Sequence, residues 1–447
     1  MYIQKFLLAT LLTFSTFAYS QVLPLREQAT LINNIQGERF NQLLPALMDS
    51  TNTEMWILIS REYNEDPVLK TMLPAEWLSA RRRTILVFYR NKTKNLFEKL
   101  AIARYNVGEH IKASWDLKRF PDQWDALADI IQTRNPANIG INISEHHAHA
   151  DGLDQTDYAT LLARMPTAFR KRIISAEDLA IRWLETRIPA EMEYYPHLVN
   201  LTHKIIEEGF SEKVITPGIT TTDDLVWWFR EKIRGLGLET WFHPSVSVQR
   251  NDPENFEHLR SFSNRPKQDL IRAGDLLHVD IGISYLRLNT DIQQHAYVLR
   301  PGEQQLPQSI ASAFAHSNRL QDILTSQFSA GKTGNQILAD ALAIAKKEGL
   351  IASIYTHPLG FHGHAAGPTI GLWDQQGGVP GAGDYPLHQN TAYSIELNTA
   401  TEIPEWKKSI RIMLEEDGYY DARGFRFING RQKKVYLIPR QIPAVQD

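Results

Sequence analysis

The feature that most constrains this chain is a carboxylate inside an apolar strand. The segment His278-Val279-Asp280-Ile281-Gly282-Ile283 reads as a buried strand that carries an aspartate, and Asp291 follows eleven positions later at the start of another strand-like run. A carboxylate taken out of water without compensation is very costly, so something must offset both. A hairpin turning at Tyr285 and Leu286 sets Asp280 opposite Asp291 by antiparallel pairing. Like charges side by side imply a cation between them.

The anomaly recurs in order along the later half. His357-Pro358-Leu359-Gly360-Phe361-His362-Gly363-His364 packs three histidines among glycines, which lets imidazole and backbone approach a buried centre. Glu396 sits in the apolar run Ala392 to Asn398, and Ile410 to Asp417 repeats the pattern. Strand alternation there puts Arg411, Met413 and Glu415 on one face and Glu416 on the other, so Glu415 is the inward carboxylate and Arg411 its companion. The chain has no cysteine, so any metal is held by His, Asp and Glu. Its formal charge of -3, from 48 basic and 51 acidic residues, creates no global field for nucleic acid or an anionic membrane.

A length of 447 residues, 43% of them apolar, supports two or three packed domains. Residues 1–20 read as a secretory signal peptide: Lys5, an apolar run from Phe6 to Ala18, and Ala18-Tyr19-Ser20 as a small-x-small cleavage site. The mature protein is therefore expected to be exported, periplasmic or secreted, and to leave the membrane after cleavage. Apolar runs at Met55–Ile59, Thr84–Phe88 and Ile139–Ile143 between helical patterns predict strands of an α/β domain over residues 21–170. A capping-box pattern at Ser175-Ala176-Glu177-Asp178 is expected to open a long helical stretch with Leu179, Trp183, Leu184 and Ile188 on one face, and Thr221 with Asp224 and Thr333 with Gln336 read as capping boxes opening two more helices. Residues 171–447 thus read as α+β. The tract Glu145-His146-His147-Ala148-His149-Ala150-Asp151 reads as a solvated polar loop of the first domain.

The ordered series Asp280, Asp291, His364 in Gly363-His364-x-x-Gly367, Glu396, and Glu415 before Glu416 resembles the metallopeptidases of the pita-bread fold, which include methionine aminopeptidase, aminopeptidase P and prolidase. The resemblance covers roughly residues 175 to 440, and the first half resembles in layout the N-terminal domain of aminopeptidase P, prolidase and creatinase. It implies an α/β N-terminal domain followed by a pita-bread catalytic domain. It also implies a metal-dependent hydrolase acting on N-terminal peptide bonds, Xaa-Pro above all, with a small peptide as substrate and a homo-oligomer as a possible assembly. By the same resemblance Asp280, Asp291, His364, Glu396 and Glu415 hold two divalent ions, Mn2+ first and Co2+, Zn2+ or Fe2+ as alternatives, with Asp291 and Glu415 bridging. A hydroxide between the ions would attack the carbonyl, and Glu396 would move its proton.

The chain departs from the family pattern around its histidines. His362 is a rival to His364 as ligand and otherwise a catalytic group, while His258, His357 and Arg411 are candidates for substrate contact. Arg287 stands before Asp291 where glycine is common in relatives. Two alternatives are a metal-free creatinase-like amidinohydrolase and a catalytically silent binding protein of the same fold.

Overall fold

The computed structural model describes residues 22–251 and 269–440. The signal-like segment and His258 lie outside the described residues. The three apolar runs of the first half are the strands Met55–Arg61, Arg83–Asn91 and Ile139–Ile141. They belong to a six-stranded sheet in the spatial order Lys112–Ala113, Leu96–Ala101, Arg83–Asn91, Met55–Arg61, Ile139–Ile141, Ile173–Ser175. Met55–Arg61 pairs antiparallel with Arg83–Asn91 and parallel with Ile139–Ile141. Successive side chains face opposite ways, so Trp56, Leu58, Leu86 and Phe88 enter one core while Met55, Ile57, Ile85 and Val87 enter another. Burial on both faces is why these strands read as unbroken apolar runs.

This layer continues past residue 170. Ile173–Ser175 extends the sheet, and the helix Glu177–Glu185 buries Leu179, Trp183 and Leu184 in the same core as Trp56. The single long helix expected here is two helices. Thr186 and Ile188 are extended, and Pro189 starts Pro189–Gly209, where a missing N–H is harmless.

Besides the two-stranded hairpin Ser284–Tyr285 with Leu288–Asn289, three sheets build the second half. The first has the order Tyr436–Ile438, Ile292–Val298, Leu276–Ile281, Ser245–Gln249. The second is Ile351–Ile354, Leu397–Ile403, Lys408–Leu414, and the third His357–Leu359, Thr391–Ser394, Asp417–Asp421, Gly424–Phe427. The helices Thr222–Gly235 and Gly334–Lys347 begin at two of the three expected capping boxes, each closed in both directions, whereas the box expected at Ser175 does not form, the helix Glu177–Glu185 having Ala176 as its N-cap with no side-chain cap. No helix among the described residues is long and apolar enough to cross a membrane.

The hairpin that carries both aspartates turns one residue later than expected. Tyr285 pairs with Leu288, so the turn is Leu286-Arg287, and Asp280 faces Gln293 instead of Asp291. Both turn residues have positive φ, 53° and 63°, as a two-residue turn with the twist of its strands requires. Such a conformation is unfavourable for residues with a side chain. Here the Arg287 guanidinium donates to the carbonyls of Thr71 and Leu73 at 3.2 and 2.7 Å, fastening the turn to the first domain.

A second tie between the domains is fully buried. Glu191 accepts from Arg39 at 2.9 Å and from Arg187 at 3.0 Å, and both guanidinium groups lie over the ring of Phe361, at 4.8 and 4.6 Å from its centre. Burial lowers the pKa of Arg39 to about 10, against the pull of Glu191.

Candidate metal centre

The acidic residues that looked misplaced in sequence lie where the sheets of the second half meet. Gln293 and Glu415 exchange backbone hydrogen bonds of 3.0 and 3.2 Å, the Asp291 N–H donates to Asp417 Oδ1 at 3.1 Å, and the Ile395 N–H donates to the Glu416 carbonyl at 3.0 Å. Asp280 comes from Leu276–Ile281, Asp291 precedes Ile292–Val298, His357 opens its own strand, Glu396 links two strands and Glu415 follows Lys408–Leu414. Three overlapping groups result: Asp280, Asp291 and Glu415; His357, Glu396 and Glu415; and Asp291, His357 and His364. Within each, one possible ligand atom per residue lies within 4.8 Å of the others.

The electrostatics demand a counter-charge. Burial, followed by the charge of Glu415, raises both Asp291 and Glu396 well above the ordinary carboxyl range. Burial does the same to Asp417. His357 donates from Nδ1 to the Pro358 carbonyl at 2.9 Å, which leaves Nε2 facing Asp291 Oδ2 and Glu415 Oε1 at 3.5 Å each. Burial lowers the basicity of this imidazole, but Glu415 and Glu396 outweigh it, and the net shift is upward. His357 Nε2 and Asp291 Oδ1 are buried and have no hydrogen-bond partner. An oxygen-rich set with one imidazole and orphaned ligand atoms fits divalent Mn, Co, Fe or Zn.

The histidines are arranged differently from the order expected in sequence. His357 lies innermost and belongs to two of the three groups, one with Glu396 and Glu415 and one with His364. Its strand explains this, since His357 pairs with Ser394, which pairs with Asp417 and donates from Oγ to Glu415. His364 is exposed and meets the His357 ring edge-on from outside, with ring centres 4.6 Å apart. Burial, then His357, lowers the His364 pKa to about 4. His362 joins none of the groups and packs against His149 at 4.3 Å, where burial and then His149 hold it near 3. Gly363 allows the loop to turn His362 and His364 away, because a Cβ there would lie 2.2 Å from the ring of Trp241. Arg411 is half-buried and donates to Asn398 Oδ1 at 3.0 Å, while the Asn398 amide reaches the Tyr355 hydroxyl at 3.0 Å.

Several contributors escaped sequence reasoning. Gln293 donates from its amide to both Glu396 and Glu415. The polar run Gln293-Gln294-His295 inside a fully buried strand was the available signal. The Glu145–Asp151 tract is only partly the solvated loop expected: Glu145, His146, Ala148 and Asp151 are exposed, but the rest is not. His147 is buried against Tyr385, His146 lies against Gly381, and His149 meets His362, so the tract packs at the domain junction. A cleft of about 710 Å3 beside it is lined by residues including His146, His147, Arg182 and His388.

No curated protein matches the chain in sequence. Among solved structures, the chain resembles an X-Pro aminopeptidase from Thermotoga maritima at 14% identity and a TM-score of 0.61, covering 89% of this chain and 99% of that one. An Xaa-Pro dipeptidase from Bacillus anthracis aligns at 15% identity and TM-score 0.56 over 93% of this chain and 100% of its own. A prolidase from Pyrococcus furiosus aligns at 15% and 0.54 over 87% and 100%. These likenesses establish the pita-bread architecture. Residues 197–417, which contain every member of the three groups, match the model of metallopeptidase family M24, and the catalytic half of this chain belongs to that family.

Proposed function

We propose that the protein is an exported exopeptidase that removes an N-terminal residue or splits dipeptides, with a preference for Xaa-Pro bonds, and that it works with two divalent ions, Mn2+ first among them. One observation carries the reading: Asp280, Asp291, His357, Glu396 and Glu415 meet in two groups that share Glu415. Asp280 and Asp291 would hold one ion with Glu415, and His357 and Glu396 would hold the other. Four carboxylates facing two dications nearly cancel, which offsets the burial cost that first marked these residues. When bound, the ions supply Lewis-acid polarisation of a carbonyl and acidify water.

The chain's own groups then divide the remaining work. Glu396 accepts the proton of the attacking water and returns it to the leaving nitrogen. His364, exposed outside His357, faces the substrate, and Arg411, held by Asn398, is a second group for substrate contact. The proline preference is supported by the X-Pro aminopeptidase, the Xaa-Pro dipeptidase and the prolidase that share the architecture. Export is supported by residues 1–20 and is checked by fractionating cells that make the full chain.

The activity is tested with Xaa-Pro dipeptides and longer Xaa-Pro peptides on chelator-stripped enzyme before and after Mn2+. Stripped enzyme should be inactive and Mn2+ should restore turnover. Glu396→Gln should fold and bind peptide but turn over at least about 100-fold more slowly, the usual contribution of a positioned general base. Wild-type rates in Glu396→Gln would remove it from the mechanism.

A further inference from the structure

Behind the metal-facing carboxylates lies a chain of polar side chains that the family motif does not include. Gln293 and His278 are 4% and 2% exposed, so neither amide nor imidazole has water to satisfy it. The Gln293 Nε2 donates to Glu396 Oε1, and to Glu415 Oε2 at 2.7 Å. Its Oε1 lies 2.8 Å from His278 Nε2, and His278 Nδ1 lies 3.4 Å from Ser247 Oγ.

Donor and acceptor chemistry orders this chain in one direction. Ionised carboxylates only accept, so the amide must turn its NH2 toward Glu396 and Glu415. The amide oxygen then faces His278 and needs a donor, which makes Nε2 the protonated nitrogen and leaves the Nδ1 lone pair for the Ser247 hydroxyl. His278 is braced in turn by His295, whose ring lies 5.1 Å away. His295 donates from Nδ1 to the Leu277 carbonyl at 2.9 Å and accepts the Met413 N–H at 3.1 Å, a pattern that only a neutral imidazole satisfies. The backbone of Gln293 is tied to Glu415 as well, so side chain and main chain act on the same carboxylate.

The amide approaches from the strand side and engages one oxygen of each glutamate. Glu415 Oε1 is the atom that lies 3.5 Å from His357 Nε2 and receives the Ser394 hydroxyl. We infer that Gln293 is a positioning residue for the His357, Glu396 and Glu415 group: its amide holds the two glutamates at ligand spacing, and His278 sets which way the amide faces. The inference rests on the reading of that group as a metal site.

The test is Mn2+ binding by titration calorimetry on the chelator-stripped full chain, with the urea unfolding midpoint of each stripped protein measured alongside. Gln293→Met keeps the length of the side chain and removes both donors. It should weaken Mn2+ binding about 10–100-fold, the range for loss of a group that orients metal ligands. His278→Ala should weaken binding in the same direction, and the double variant should be no weaker than Gln293→Met alone, because His278 acts through Gln293. Should Gln293→Met fail to fold, Gln293→Asn keeps an amide but retracts it by one methylene, and weaker Mn2+ binding is again expected. Wild-type affinity in the folded Gln293 variant, or fully additive losses in the double variant, overturns the inference. A lowered unfolding midpoint with unchanged affinity overturns it too, because a purely structural role predicts that result. A wild-type chain that takes up no Mn2+ overturns the metal reading itself and this inference with it, an outcome visible before any variant is made.

Discussion

Glu191→Gln isolates the buried ion triad that joins the two domains. The substitution keeps shape and leaves an oxygen to accept the Ile188 N–H, which now donates to Glu191 at 2.8 Å. What it removes is the one negative charge between Arg39 and Arg187, whose side chains have no solvent exposure. Arg39 retains hydrogen bonds to the Thr186 and Trp183 carbonyls, but neither neutralises it. Removing one partner of a buried ion pair typically costs about 3–5 kcal/mol, because the remaining charge is stranded in a poor solvent. Here two charges are stranded, so the loss should lie at the upper end. The same guanidinium groups flank Phe361, next to His362, so the variant should also loosen the histidine loop. Urea unfolding of the metal-loaded proteins measures the first effect, and kcat/KM on an Xaa-Pro dipeptide measures the second. A stability change within about 0.5 kcal/mol, the scale of ordinary surface substitutions, would refute the reasoning. It would mean that the triad's mutual attraction does little more than repay its own desolvation.

The pH dependence of stability should depend on metal. Burial and the charge of Glu415 raise Asp291 and Glu396 in the folded metal-free protein, so above about pH 4 it keeps protons that the unfolded chain has released. Stability of the stripped protein should therefore fall as pH rises from about 4, each group contributing at most about 1.4 kcal/mol per pH unit, until its folded-state pKa is passed. Saturating Mn2+ should remove that decline, and parallel melting curves with chelator and with Mn2+ between pH 4 and 8 would count against the assignment. The outer His364 and the inner His357 should separate cleanly by assay. His357→Ala should lower Mn2+ content, whereas His364→Ala should leave it intact and raise KM; the reverse pattern would restore His364 as the ligand.

How much could be read from the sequence divides along local and long-range lines. The strands of the first domain were legible because burial on both faces leaves unbroken apolar runs, and two of the three capping boxes because cap chemistry acts within a few residues. The acidic members of the centre were legible for a related reason: Asp280, Glu396 and Glu415 each contradict the apolar run around them, and a contradiction of that size needs a cause. The hairpin register was not legible, because Leu286 and Arg287 adopt positive φ without the glycine that normally announces it, held instead by the distant carbonyls of Thr71 and Leu73. The innermost histidine was not legible either. The family-like spacing Gly363-His364-x-x-Gly367 points to His364, with His362 as its rival, and only the pairing of His357 with Ser394 turns His357 inward. The His146–His149 tract was only partly legible for the same reason, since its partners Tyr385, Gly381 and His362 lie more than two hundred residues away.

The most direct test of the account is a Mn2+-soaked crystal with anomalous diffraction recorded at the manganese edge. Two peaks are predicted, one among Asp280, Asp291 and Glu415 and one among His357, Glu396 and Glu415. A soaked crystal with these side chains in place and no anomalous signal between them would contradict the claim that buried cations are the reason the carboxylates are there.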